Sequence, residues 1–318
     1  MRSLIAVALL VLSQALAAQP YPSRPVALVV GFAPGGGTDT VARVVQRAFG
    51  ERLGQQVVVD NKPGAGGNIA TDMVAKSAPD GHTVMLANVG SLTVAPHLVK
   101  DLPYDPFRDL APVTMGVVFP NLVVVHHSVP AKTLADFIRL AKEKPGHYTY
   151  GSSGIGGAGH LAGELLKMMA QIDIVHVPFK GGGPAMQAML GGQIHAYMAT
   201  PVAAGPHVRA GKATALALTG AERDPLLPDV PTVAESGYPG YEATNWYAFV
   251  VPARTPKDIV ARLNRDLIAT LRDPHVADLL RKQGVEPKPG TPEALAATMK
   301  REYETWGRVV REARIEVQ

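Results

Sequence analysis

The stretch VALVVGFAPGGGTDTVARVVQRAF, residues 26–49, decides the fold. Val26 to Phe32 is a short, nearly unbroken apolar run, as a buried strand requires. Ala33-Pro34-Gly35-Gly36-Gly37 follows at once and reads as a loop. Val41, Val44, Val45, Ala48 and Phe49 then recur at helical spacing. Gly54 stops that helix. Strand, glycine loop, helix is the repeating unit of an α/β sheet.

The unit recurs outward from there. Val57 to Val59 reads as a strand, Gly64-Ala65-Gly66-Gly67-Asn68 as a loop and Ile69 to Lys76 as a helix. Thr83 to Ala87 is a third strand, ending at Asn88-Val89-Gly90-Ser91. This rhythm predicts a sheet containing parallel strands. It restarts with a strand over Leu122–Val125 and a helix over Thr133–Ala141, where Thr133 and Asp136 have capping-box spacing. Tyr148–Tyr150 is the next strand, followed by Gly151-Ser152-Ser153-Gly154-Ile155-Gly156-Gly157. Leu161, Leu165, Met168 and Met169 stripe the helix beyond. Ile174–Val177 leads into Phe179-Lys180-Gly181-Gly182-Gly183. Pro184 is expected to open a short helix at its first position, with Gly191 closing it. Its Met186, Met189 and Leu190 read as core. Ala196–Met198, Thr214–Leu218 and Tyr247–Val251 complete the strands. Thr255-Pro256, Asp273-Pro274 and Thr291-Pro292 each look like a cap followed by proline. They predict three closing helices that return to cover the first lobe.

The 318 residues suffice for one large or two medium domains, and 47% are hydrophobic. Cysteine is absent, which excludes disulfides, thiol catalysis and thiolate metal sites. Met1 and Arg2, the apolar Leu4–Leu12 and the small residues of Ala15-Leu16-Ala17 have the pattern of a secretory leader, residues 1–17. Its loss takes Arg2 from a formal charge of +4, leaving +3. A mature protein outside the cytoplasm is expected. Basic residues are scattered and aromatics are only 6%, so no nucleic-acid partner is expected.

Three strand-to-helix loops carry the chemistry: Phe32 to Asp39, Gly151 to His160, and Phe179 to Pro184. Such loops lie at the carboxyl edge of a sheet, where ligands bind. Helix starts expose unpaired N–H groups and favour anions without Arg or Lys. The first loop lacks the Gly-Lys-Ser/Thr of a P-loop. Gly154 to Gly159 fits G-x-G-x-x-G, but an exported protein gives that lone match little weight, and no cofactor is expected. Neither Ser152 nor Ser153 sits in G-x-S-x-G, so a serine hydrolase is the weaker alternative and no catalytic residue is named. The two hydroxyls are expected to donate to a carboxylate. His160 and Glu164 are one turn apart but lack a third ligand, so no metal is expected. His176 reads as a structural strand residue.

Beyond these single motifs, YPSRPVALVVGFAPGGGTDTVAR, VVVDNKPGAGGNIA, APDGHTVMLANVGS, YGSSGIGGAGHLAGELL, VPFKGGGPAMQAMLGGQI and LPDVPTVAESGYPGYEATNWYAFVVPARTP occur in this order. The order resembles the Bug family, receptors of tripartite tricarboxylate transporters. The resemblance implies a type II periplasmic-binding-protein fold, with two α/β lobes joined by crossing strands and closing over a ligand. It implies a small carboxylate held largely by backbone and ordered water, between Phe32-Ala33-Pro34-Gly35-Gly36 and Gly151-Ser152-Ser153-Gly154. His160, Lys180 and Gly181 are candidates from the loops. Asn88, Ser91 and Thr200 are added by position after strands lining the same cleft. Lobe one is expected at 18–120 plus 246–318 and lobe two at 121–245. A monomer working with membrane permease subunits is implied, or else a sensor without a permease.

Overall fold

The computed structural model describes residues 21–312 and 315. The leader expected over residues 1–17 lies outside them. The first lobe begins with β1 (Val26–Val30), α1 (Gly37–Leu53), β2 (Val57–Asn61), α2 (Asn68–Ala75) and β3 (Thr83–Asn88). A π-helical turn over Gly90–Val94 and the short α3 (Ala95–Leu98) follow. β4 (Leu110–Pro120) then runs toward the second lobe. That lobe holds β5 (Leu122–Val125), α4 (Leu134–Glu143), β6 (Thr149–Ser152), α5 (Ala158–Ala170) and β7 (Val175–Pro178). It continues through α6 (Gly182–Leu190), β8 (Ala196–Ala199), α7 (Pro201–Arg209) and β9 (Thr214–Leu218). The chain returns by β10 (Thr244–Pro252) and ends in α8 (Lys257–Leu271), α9 (Pro274–Arg281), β11 (Glu286–Pro287) and α10 (Pro292–Glu312).

Two sheets result, ordered β11-β4-β10-β3-β1-β2 and β7-β6-β8-β5-β9. In the first, β1 pairs in parallel with β2 and β3, and β10 joins antiparallel to β3. In the second, β6 pairs in parallel with β7 and β8, and β5 joins antiparallel to β8. Each lobe therefore has the same centre: a first strand flanked by the second and third of its βαβαβ run. In such a sheet the consecutive helices leave the first strand to opposite faces, opening a crevice at its carboxyl end.

Side-chain alternation explains the layers. Val26, Leu28 and Val30 pack with Val41, Val45 and Phe49 of α1 and Leu263, Leu267 and Leu271 of α8. Val29 points the other way, into a core holding Ala70 and Val74 of α2. In the second lobe Leu122 and Val124 face Met186 and Met189 of α6. Val123 and Val125 face Leu161 and Leu165 of α5. The closing helices pack on the first lobe, α8 against α1 and α10 against β4.

Several local expectations need correction. α6 begins at Gly182, so Pro184 is its third residue. Pro256, rather than Thr255, occupies the N-cap of α8. β3 runs one residue past Ala87 to Asn88, and Gly90 and Ser91 enter a π turn. Met168 is 38% exposed and lies off the stripe of α5. β4 and the two-residue β11 had no counterpart in the sequence reading. Pro112, Gly116 and Pro120 make β4 look like turn sequence. Bulges opposite Tyr247/Ala248 and Phe249/Val250 absorb the irregularity.

Candidate ligand-binding site

The carboxyl edges of both sheets meet at one cavity. Gly36, Gly37 and Thr38 reach it from the start of α1. Ala158 and Gly159 reach it from the start of α5, Gly182 from α6, and Thr200 caps α7. Four helix starts, from both lobes, thus line one space. The N-caps of α1, α5 and α6 are Gly36, Gly157 and Gly181, and none supplies a side-chain acceptor. The first-turn N–H groups there have no intrahelical partner. No charged side chain lines the cavity.

Magnitudes decide what such a site holds. Taking a carboxylate out of water costs several kcal/mol. A helix dipole returns about 0.3–1 kcal/mol, or up to ~2 when partly buried. Dipoles alone barely balance the cost. Hydrogen bonds to a charged group contribute about 1.5–3 kcal/mol each, so open N–H groups on several helices are needed. The caps left free by glycine provide them.

The floor is polar but neutral. Asn88 ends β3, and Tyr247 stands opposite it on β10. Asn245 and Tyr247 share one face of β10, two residues apart. Tyr197, Ser153 and Asn121 complete the polar lining, and Phe32 and Met198 the apolar part. Burial pushes the phenols of Tyr197 and Tyr247 up, so both stay neutral and able to donate. The cavity volume is about 20 Å³, room for one or two waters. A larger ligand needs an arrangement less tightly closed than this one, reached by closure from a more open one.

Asp39 holds the first loop in shape. Its Oδ2 accepts from Gly35 N at 3.0 Å and Arg43 Nε at 2.9 Å. Its Oδ1 accepts from Asn61 Nδ2 at 2.9 Å, and the same nitrogen donates to Phe32 O at 3.0 Å. Burial would raise the Asp39 pKa, but the bonds from Arg43, Gly35 and Asn61 outweigh it and hold the carboxyl below its usual range.

Of the residues singled out in the sequence, Phe32, Gly36, Asn88, Ser153 and Thr200 line the cavity. The others do not. Ser152 is fully buried, donating to Gly154 O at 3.0 Å and accepting from Gly154 N at 3.1 Å. Its Oγ also lies 2.7 Å from His176 Nε2, so it has no hydroxyl left for a carboxylate. His160 is buried too: its Nδ1 accepts from Gly156 N at 3.1 Å and its ring stacks on His176. Ser91 is fully buried, with Oγ 3.4 Å from Asn88 O. Gly151 lies within β6, where an added Cβ would meet Ile194.

Ala33, Pro34, Gly35, Gly154, Lys180 and Gly181 belong to a seam between the lobes or the loops beside it. Ala33 N donates to Lys180 O at 3.1 Å, while the Lys180 side chain is exposed. A Cβ on Gly181 would come 3.1 Å from Ala33 N, and one on Gly183 would come 3.1 Å from Pro34 O. Gly154 stands against Gly66, and Gly66 against the carbonyl of Ile155. The glycines thus do two jobs: some cap helices at the cavity, and others let two backbones touch.

Sequence reasoning included Thr38 in the first loop without naming it as a contact, and missed Asn121, Tyr197, Asn245 and Tyr247. A signal existed for the asparagines. Asn121 directly precedes the apolar run Leu122–Val125, and Asn245 opens the buried part of β10. Polar residues inside such runs are uncommon. Glu164 was weighed as half of a metal site with His160. Its Oε1 instead accepts from Tyr150 Oη at 2.7 Å and pairs with Lys167 at 3.0 Å. Among the described residues no group of three His, Asp or Glu is placed to hold a metal ion.

Two α/β lobes, crossing strands and a ligand cavity between facing helix starts define the class: periplasmic-type solute-binding proteins. Within it, residues 41–315 match the tripartite tricarboxylate transporter family receptor, and the chain belongs to that family. BugT of Bordetella pertussis is 37% identical over 298 residues, covering 93% of this chain and 91% of BugT. An R. palustris protein solved with adipate is 37% identical with a TM-score of 0.90, covering 92% of this chain and 98% of that one. MatC from Rhodopseudomonas palustris, solved with bound malate, is 36% identical with a TM-score of 0.88, covering 91% and 100%. The family's members are solute receptors rather than enzymes. No helix among the described residues is long and apolar enough to cross a membrane.

Proposed function

We propose that this receptor captures a small carboxylate-bearing metabolite outside the cytoplasm and passes it unchanged to the membrane subunits of a tripartite tricarboxylate transporter. The observation that carries this reading is the convergence of four helix starts, three with glycine caps lacking a side-chain acceptor, on a cavity without charged side chains. Adipate and malate in similar proteins support the same chemistry. The groups assigned to the carboxylate are the N–H groups at the starts of α1, α5 and α6, with Thr38, Ser153 and Thr200 beside them. Residues 1–17 direct export and are then removed to leave the mature receptor. Lobe one comprises 18–120 plus 246–318 and lobe two 121–245, acting as a monomer that closes about the strands between them.

The absence of turnover is part of the proposal. Ser152 and His176 are in contact, but Ser152 is fully buried and out of a substrate's reach. Thermal denaturation across small carboxylates and amino acids tests the reading. A ligand at a hundred times its dissociation constant stabilises by about 2.7 kcal/mol, a shift of several degrees. Silence across all carboxylates would contradict it. So would cleavage of a bound ester or amide that Ser153→Ala abolishes.

A further inference from the structure

The hinge carries a polar feature that the helix starts do not use. Asn121 lies between β4 and β5, where the chain first crosses from one lobe to the other. Asn245 lies on β10, where it crosses back. Both line the cavity, and both are buried, at 1% and 4% exposure. Their amide orientations are fixed in sequence. Trp246 N donates to Asn245 Oδ1 at 2.8 Å, which makes the other end of Asn245 the donor. Asn245 Nδ2 then donates to Asn121 Oδ1 at 3.4 Å. What remains is Asn121 Nδ2, a buried donor with no protein partner.

The main chain holds this amide in place. Asn121 N donates to Thr219 Oγ1 at 2.8 Å, and Thr219 N donates back to Asn121 O at 2.9 Å. Thr219 Oγ1 donates to Ala243 O at 2.9 Å, tying in the segment before β10. A buried donor left without a partner costs about 1–3 kcal/mol. A ligand oxygen brought against that nitrogen would remove the cost, whereas a methyl would leave it and an ammonium would set donor against donor.

We propose that the Trp246–Asn245–Asn121 relay reads an oxygen acceptor at the second end of the bound carboxylate and discriminates against a methyl or an ammonium there. This rests on the carboxylate-receptor reading. Asn245 and Tyr247 are two residues apart on one strand face, a step of about 7 Å. Asn245 therefore sits one side-chain step along the floor from Tyr247, whose hydroxyl lies with Thr200 Oγ1 beside Gly37 at the start of α1. That is the arrangement needed to meet the far end of a short chain whose near end sits on the helix starts.

Calorimetry with matched probes tests it. Adipate, hexanoate and ε-aminohexanoate share one chain and differ at the far end, as do succinate, butanoate and γ-aminobutyrate. In the unaltered protein the dicarboxylate of at least one trio should bind at least tenfold tighter than both partners. Asn121→Asp should reduce that preference at least tenfold and move it toward the amine. Asn121→Leu, of similar size and without a donor, should reduce it without favouring the amine, and melting curves establish that each variant is folded. A dicarboxylate preference that survives both substitutions would overturn the relay. So would a loss that is equal for all three probes, the mark of a hinge residue that only supports the fold. If the unaltered protein binds no carboxylate, the underlying reading fails and the relay falls with it. Binding of all three probes with equal affinity overturns the relay alone.

Discussion

Asp39 is a buried acid beside the proposed anion site, and its neighbours explain why that is tolerated. Arg43, Asn61 and the Gly35 N–H all donate to it, so its charge is neutralised locally and works on the loop. Asp39→Ala should cost about 2–3 kcal/mol in chemical denaturation and weaken ligand binding, because the Gly35–Gly37 segment loses its tether. Unchanged stability would contradict this. His176 supplies a pH prediction. Burial, with smaller contributions from His160 and Lys167, pushes its pKa down to about 3 from an ordinary 6.5. The folded protein keeps it neutral where the unfolded chain protonates it. Stability is therefore full above about 6.5 and falls as pH drops toward about 3. His160 is shifted the same way by burial. Melting temperature against pH should flatten in His176→Gln, and parallel curves for the two proteins would contradict the assignment.

Between elements, glycine does what no other residue could at the seam. Gly66 has φ +65°, and a Cβ there would collide with the Ile155 carbonyl of the opposite lobe. Gly66→Ala should cost about 1–2 kcal/mol from its backbone conformation. It should also lower ligand affinity at least tenfold, about 1.4 kcal/mol, by holding the lobes apart. Calorimetry on the folded variant separates the two effects, and unaltered affinity would contradict the seam. Thr133→Ala is a control on α4, away from the cavity. Its capping box is complete, so loss of about 1 kcal/mol is expected with ligand affinity unchanged. Elements of this kind were legible in sequence because their signals are local. The apolar run, glycine loop and helical stripe over 26–49, the Thr133–Asp136 pair and the Asp273-Pro274 cap all work over a few residues. β4 was not legible, because its two prolines and one glycine are accommodated by bulges that exist only against β10. The division of the glycines into caps and seam was not legible either. A strand-to-helix glycine looks the same whether it faces a cavity or another backbone.

For the whole molecule, the proposed function has the lobes moving about two crossings. Asn121 and the start of β10 mark those crossings, and Thr219 binds them together. The groups proposed to read the ligand's near end sit on helices of both lobes, so a bound ligand would bridge them and favour closure. The family was legible from the order of motifs along the chain, but the neutral floor was not. Asn88, Asn121, Asn245 and Tyr247 come from three separate stretches that only the sheet order β4-β10-β3 brings together. Small-angle scattering should show the radius of gyration falling when a binding carboxylate is added, and falling less in Gly66→Ala. No contraction in either protein would contradict bridging.

The central claim is that backbone N–H groups from both lobes, without a cationic side chain, hold a carboxylate that leaves unchanged. Titration calorimetry of the mature protein, comparing a panel of small mono- and dicarboxylates with their amides, tests it most directly. The account predicts saturable one-to-one binding of at least one carboxylate, at least tenfold weaker binding of its amide, and recovery of the ligand intact. Equal affinity for acid and amide, or a ligand recovered cleaved, would contradict it.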